Sequence, residues 1–371
     1  MTAPTTKQKQ RPWLLEMSLV PLLGLLAVFL LFPGPWSSDP ESAPMRSALV
    51  FAALLGAVGW GAFSVLRHAE ALAQLLGQPL GTLVLTLSVI LIEVAMIVAL
   101  LVTGPDAPTV ARDTMFAVLM IVLNGLVGVC LLVGGIRHNQ QRVNVEGSGA
   151  FLAALIVLGS LSLVLPRVTV SKPGGEASLP LSIFLILASL LAYGFFLFIQ
   201  TGRHRGWFKN EDEPPGNHRQ VLYSIGLHIL LLVAHLVPIV MLAKHMATYV
   251  DAGVHSAGLP MALGGALIAG IVLAPEALVA VRAAANNSMQ QAVNICLGSG
   301  LATIGLTVPA ILVAAFLTGE PIELGLPTWN IVLLTITFLL SMQTLPTGRT
   351  NSLLGVLHLV LFGAFIVLIF E

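Results

Sequence analysis

The sequence predicts an all-α integral membrane protein of about eleven transmembrane helices, one leading helix followed by two inverted five-helix repeats. Three observations predict it. Of 371 residues, 57% are apolar and only 9% charged, where soluble domains carry roughly 25% charged residues. Apolar runs of the ~20 residues needed to cross a bilayer recur along the whole chain. Two of those runs carry a single carboxylate far from either end, Glu93 and Glu276.

Taken in order, the expected spans cover about 15–32, 46–66, 80–103, 113–136, 149–166, 179–201, 221–243, 259–284, 291–317, 329–346 and 351–370. The first follows a basic start (Lys7, Lys9, Arg11) but is longer than most signal-peptide cores, so it reads as a retained span. Glu16, Lys244 and Arg282 sit near span ends, where long side chains reach the headgroups. Gly202–Gln220 is the most polar interior loop. It divides the chain into a leading segment (1–44), a first five-helix set (45–202), a linker (203–220) and a second five-helix set (221–371). Five is odd, so the two sets enter the membrane from opposite faces, and each carries its glutamate in its second helix.

Basic residues orient the chain. Twelve fall in loops on the N-terminal side (Lys7, Lys9, Arg11, Arg67, Arg137, Arg142, Arg203, Arg205, Lys209, Arg219, Arg282, Arg349) and five on the other (Arg46, Arg112, Arg167, Lys172, Lys244). By the positive-inside rule the N-terminus is cytoplasmic and Glu371 external, in a bacterial cytoplasmic (inner) membrane. Membrane lipid is the partner this composition demands. With zero net charge and its basic residues in loops, the chain shows no nucleic-acid signature. The sequence leaves open whether copies form a homo-oligomer.

Cys130 and Cys296 lie in apolar runs and read as small core residues, not as a disulfide framework or thiol metal site. There is no HExxH, GxSxG or phosphate-binding glycine loop, so nothing points to an enzyme. The acidic triplet Glu211–Asp212–Glu213 reads as a solvated loop.

The functional reading rests on the buried carboxylates, because an ionised group in hydrocarbon costs several kcal/mol and is kept where it lines a pathway. At about 100° per residue, Thr82, Thr86 and Glu93 fall within roughly 40° of one another. That stripe offers only oxygen, suited to a hard cation, although either threonine could instead bond its own helix carbonyls. Pro275 precedes Glu276 and, lacking an amide hydrogen, frees carbonyls around Gly270–Leu273; broken helices of transporters offer such oxygens to ions. Gly264 and Gly265 permit a close neighbouring helix. The span after each glutamate carries polar residues: Asn124 in LMIVLNGLVG, and Ser299, Thr303 and Thr307 at i, i+4, i+8. Asn124 reads equally as a helix clamp or a ligand. His228 and His235 share one face of the seventh span and read as helix-to-helix hydrogen-bonding groups before a proton relay.

Leu80–Gly104, and Ala274-Pro275-Glu276 followed by Asn286–Pro309, resemble the two α-repeats of the calcium/cation antiporter superfamily, and within it the bacterial ChaA-type calcium (sodium, potassium)/proton antiporters. SVLRHAEALAQLLGQPLGTL and PTGRTNSLLGVLHL resemble the same group. The resemblance implies that Glu93 and Glu276 bind cation and protons in turn, with Asn124 and Ser299 lining the path. It also implies export of Ca2+, with Na+ or K+ as further cargo, against protons. No cofactor is implied. Charge alone supports exchange. Two facing carboxylates in low dielectric titrate as a coupled pair. An empty site of charge −2 is costly to carry across, whereas one divalent cation or two protons neutralise it. The alternative is an exchanger coupled to Na+ without protons.

Overall fold

The computed structural model describes residues 23–27, 30, 44–76, 88, 90–91, 94, 108–172, 174–208, 224–319 and 321–371. The expected spans 15–32 and 80–103 fall largely outside the described residues. Among those described, nine helices are long and apolar enough to cross a membrane, and each matches one of the remaining expected spans. The protein is a multi-pass membrane protein.

The helices are α1 (Pro44–Leu76), α2 (Val110–Met120), α3 (Val127–His138), α4 (Val145–Gly159), α5 (Leu165–Val168), α6 (Leu179–Thr201), α7 (Ile225–Ser256), α8 (Met261–Ala285), α9 (Met289–Ala302), α10 (Val308–Thr318), α11 (Thr328–Thr344) and α12 (Ser352–Ile369). Three short π-helical segments join pairs of these into continuous spans. Ile121–Leu126 links α2 to α3, Ser160–Val164 links α4 to α5, and Thr303–Thr307 links α9 to α10. Side chains of Asn144, Ser224 and Asn351 accept from backbone amides in the first turns of α4, α7 and α12, supplying acceptors for otherwise orphaned N–H groups. Gly319, with φ of 76°, closes α10 in the left-handed conformation that glycine adopts without a Cβ penalty.

Two helices run further than the hydropathy of their spans suggests. α1 continues to Leu76 and α7 to Ser256. The cause is packing: Leu54, Val58, Ala62, Val65, Ala69 and Leu72 make one buried stripe at alternating spacings of four and three. Ile239, Leu242, Met246, Val250 and Val254 answer it from α7. Such a stripe keeps a helix bound to its neighbour beyond the apolar window. These side chains form a core of their own, joined by Ile268 and Val272 of α8, apart from the main core built by the other helices.

The main bundle is stitched at both ends. Beyond α3, Arg142 pairs with Arg349 ahead of α12, with Val143 N–H donating to the Gly348 carbonyl (3.2 Å) and Thr350 N–H to that of Gln141 (3.0 Å). At the other end of α4–α5, Glu176 pairs with Glu323, and the Gly175 carbonyl accepts from Leu324 and Gly325 (3.0 and 2.9 Å). Between these clasps, α3 and α12 cross at near backbone contact. A Cβ added at Gly355 would lie 2.7 Å from the Leu132 nitrogen and 2.8 Å from the Gly128 carbonyl oxygen. Small residues allow such close crossings in membranes. Gly355→Leu is therefore expected to cost about 3 kcal/mol, the upper end for overpacking, read as a lowered melting temperature in detergent.

Candidate functional site

Glu276 lies in the second half of α8, one residue after Pro275, and α8 packs against α2, α3 and α9. α8 remains helical through Pro275, so the expected break does not appear there. The proline still has no N–H to offer the Ile271 carbonyl. The interruptions fall instead in the spans that follow, as the π segments at Ile121–Leu126 and Thr303–Thr307. A π turn shifts the hydrogen-bond register by one residue and is frequent at functional sites.

Ser299, on α9, hydrogen-bonds to the Glu276 carboxylate. The second carboxylate oxygen, Oε2, is buried without a hydrogen-bond partner among the described residues. A buried acceptor left open costs about 1–3 kcal/mol, which marks this oxygen as a position for a proton or a cation. Thr303 and Thr307 are buried in the π segment that continues the Ser299 face. The Cys130 and Cys296 thiols are both buried and hydrogen-bonded to each other, with Glu276 close to Cys296. They tie α3 to α9 beside the carboxylate. An apolar cavity of about 510 Å³ flanks α8 on its Gly270–Ala274 side, between α1 and α12. Glu93, Thr82 and Thr86 lie outside the described residues.

Asn124 occupies the first π segment and is fully buried. Its Nδ2 donates to Thr337 Oγ1 at 2.8 Å, and its Oδ1 faces His358 Nδ1 at 3.2 Å. His358 Nε2 lies 3.1 Å from Thr344 Oγ1, and that hydroxyl can also donate to the Leu340 carbonyl at 2.8 Å. The network joins the first π segment, α11 and α12. His358, Thr337 and Thr344 did not emerge from the sequence. Thr337, Ser341 and Thr344 repeat on α11 at i, i+4, i+7, the same polar signal that picks out Ser299, Thr303 and Thr307. His228 and His235 do share a face, as expected, and His68 of α1 joins them.

Residues 46–202 and 227–371 match the sodium/calcium exchanger protein family. The chain belongs to that family. Its members are ion antiporters, transporters rather than enzymes. The sodium-potassium/proton antiporter ChaA of Escherichia coli (strain K12) is 38% identical over 362 residues, 96% of each chain. Among solved structures, native YfkE superposes with a TM-score of 0.70 at 18% identity, covering 96% of this chain and 99% of that one. The H+/Ca2+ exchanger CAX gives 0.67 at 12% identity, covering 94% and 88%. The exchanger-family fold therefore holds across nearly the whole chain.

Proposed function

We propose that the chain is a cation/proton antiporter of the bacterial cytoplasmic membrane, in which Glu93 and Glu276 form one site that holds cation or protons in turn. The observation that carries this reading is the buried Glu276 carboxylate with one oxygen bonded to Ser299 and the other open. Near Glu93, Ile90 is buried in the main core that also holds Ala280 of α8, and Val94 packs against that core. A pair of carboxylates sharing such a site must be neutralised before the protein changes its facing, which forces cation and protons to alternate.

An inverted repeat, with the N-terminus cytoplasmic and the linker near 203–220, fits the arrangement of the clasps. The loop between the third and fourth helices of each set pairs with the loop between the fourth and fifth of the other, at opposite ends of the bundle. Each span after a glutamate helix also carries a π segment. Thr82, Thr86, Asn124, Pro275, Ser299 and Thr303 then line the path, and the ions are cargo with no resident cofactor. Proton coupling, not sodium coupling, follows the Escherichia coli relative, whose name pairs sodium and potassium with protons.

The test is a ΔpH dye in everted vesicles, with Ca2+, Na+ and K+ added in turn at several pH values. Collapse of the pH gradient by at least one cation is expected. No pH response to any of them overturns proton coupling.

A further inference from the structure

His68 of α1 and His228 and His235 of α7 make a buried cluster, 4%, 5% and 0% exposed. The Nδ1 atoms of His68 and His228 are 3.1 Å apart. Ring centroids lie 5.3 Å apart for His68–His228 and 5.5 Å for His68–His235. His235 Nδ1 donates to the Leu231 carbonyl at 2.6 Å.

A contact between two Nδ1 atoms holds a single hydrogen. One ring donates N–H and the other accepts through a lone pair. The bond survives one charged ring, because the accepting ring stays neutral. A second proton sets N–H against N–H and places two positive rings together in low dielectric. Nothing nearby offsets that charge. Among the described residues, the titratable or charged groups acting on His68 are His235, His228 and Arg67, all positive when charged. Arg67 donates to Ser64 on its own helix. Glu70, two residues along α1, points about 200° around the helix from His68. α8 meets this layer with the apolar Ile268 and Val272.

The cluster sits where the C-terminal half of α1 meets the N-terminal part of α7, the end that the basic loops assign to the cytoplasm. The α1–α7 layer has its own core, so its ends can part without opening the main bundle.

We propose that the His68–His228–His235 cluster is a cytoplasm-facing acid switch. A second proton parts α1 from α7 and halts exchange when the cytoplasm acidifies. Its sign is set by the contact: the α1–α7 bond is intact at neutral and alkaline pH and is lost on acidification.

Transported protons would confuse a flux measurement, so the test reads distance. Spin labels are placed at Leu75→Cys and Leu230→Cys, exposed on α1 and α7 near this end. The native cysteines are buried. Distances are measured in lipid nanodiscs without transported cation, at pH 8 and pH 5.5. In the parent the distribution is expected to shift to longer distances at pH 5.5, with the closed population falling about tenfold per pH unit below the midpoint for one proton. His68→Gln and His228→Gln, each keeping a hydrogen-bonding side chain that does not titrate, are expected to show no shift. If one variant fails to fold, the other carries the comparison. An unchanged parent distance, or a full shift in a folded Gln variant, overturns the proposal. Neither reading depends on which ion the protein carries or on proton coupling, so this result stands apart from that of the vesicle assay.

Discussion

Glu276→Gln is expected to abolish cation-driven proton movement while leaving the protein folded in the membrane. The amide has the shape of the protonated acid and can still bond Ser299, which hydrogen-bonds to the native carboxylate. It can neither release a proton nor cancel the charge of a cation. Loss of at least about 100-fold in initial rate, ~2.7 kcal/mol in barrier terms, should be seen with the pH dye in vesicles carrying equal amounts of protein. Glu276→Asp keeps the charge but withdraws it from the open position of Oε2, so it should retain a weak, cation-selective remnant. Undiminished proton movement in the glutamine variant would remove Glu276 from the transport cycle.

The second large effect is expected on stability. His358→Leu leaves the Asn124 Oδ1 acceptor without its ring partner and takes the Thr344 hydroxyl's partner away, in a place where no described residue is exposed enough for water to replace either. Each orphaned group costs about 1–3 kcal/mol. The variant should melt well below the parent in detergent. His358→Asn restores one of the two bonds and should fall between them. Equal melting of parent and His358→Leu would show that the Asn124 network contributes nothing to holding the first π segment against α11 and α12.

Nine of the spans were legible because crossing a bilayer leaves a coarse mark, a run of apolar residues whose length is fixed by the membrane. For α6, Leu179–Thr201, the expected and observed limits coincide. The excess lengths of α1 and α7 were not legible, because past Arg67 and Lys244 the chain turns more polar while one stripe stays buried. Pro275 illustrates the opposite error. A proline suggests a break, yet α8 absorbs it, and the register shifts sit at Ile121–Leu126 and Thr303–Thr307, where the sequence shows only glycine and polar residues among aliphatics.

At the site, Glu276 and Ser299 were legible because charge and hydroxyls in apolar runs are conspicuous, and the structure brings them together. The partnership of Asn124 with His358 joins residues 234 positions apart, and that of His68 with His228 spans 160. A polar residue announces that it needs a partner but not which one; only the folded bundle supplies the answer.

The paired loops at Arg142–Arg349 and Glu176–Glu323 carry a mechanical corollary. They act as hinge pins at top and bottom of one wall, so that wall cannot gape toward either compartment. Whatever route an ion takes in and out must therefore open along the opposite wall, where α1 and α7 lean on the bundle through a seam of their own.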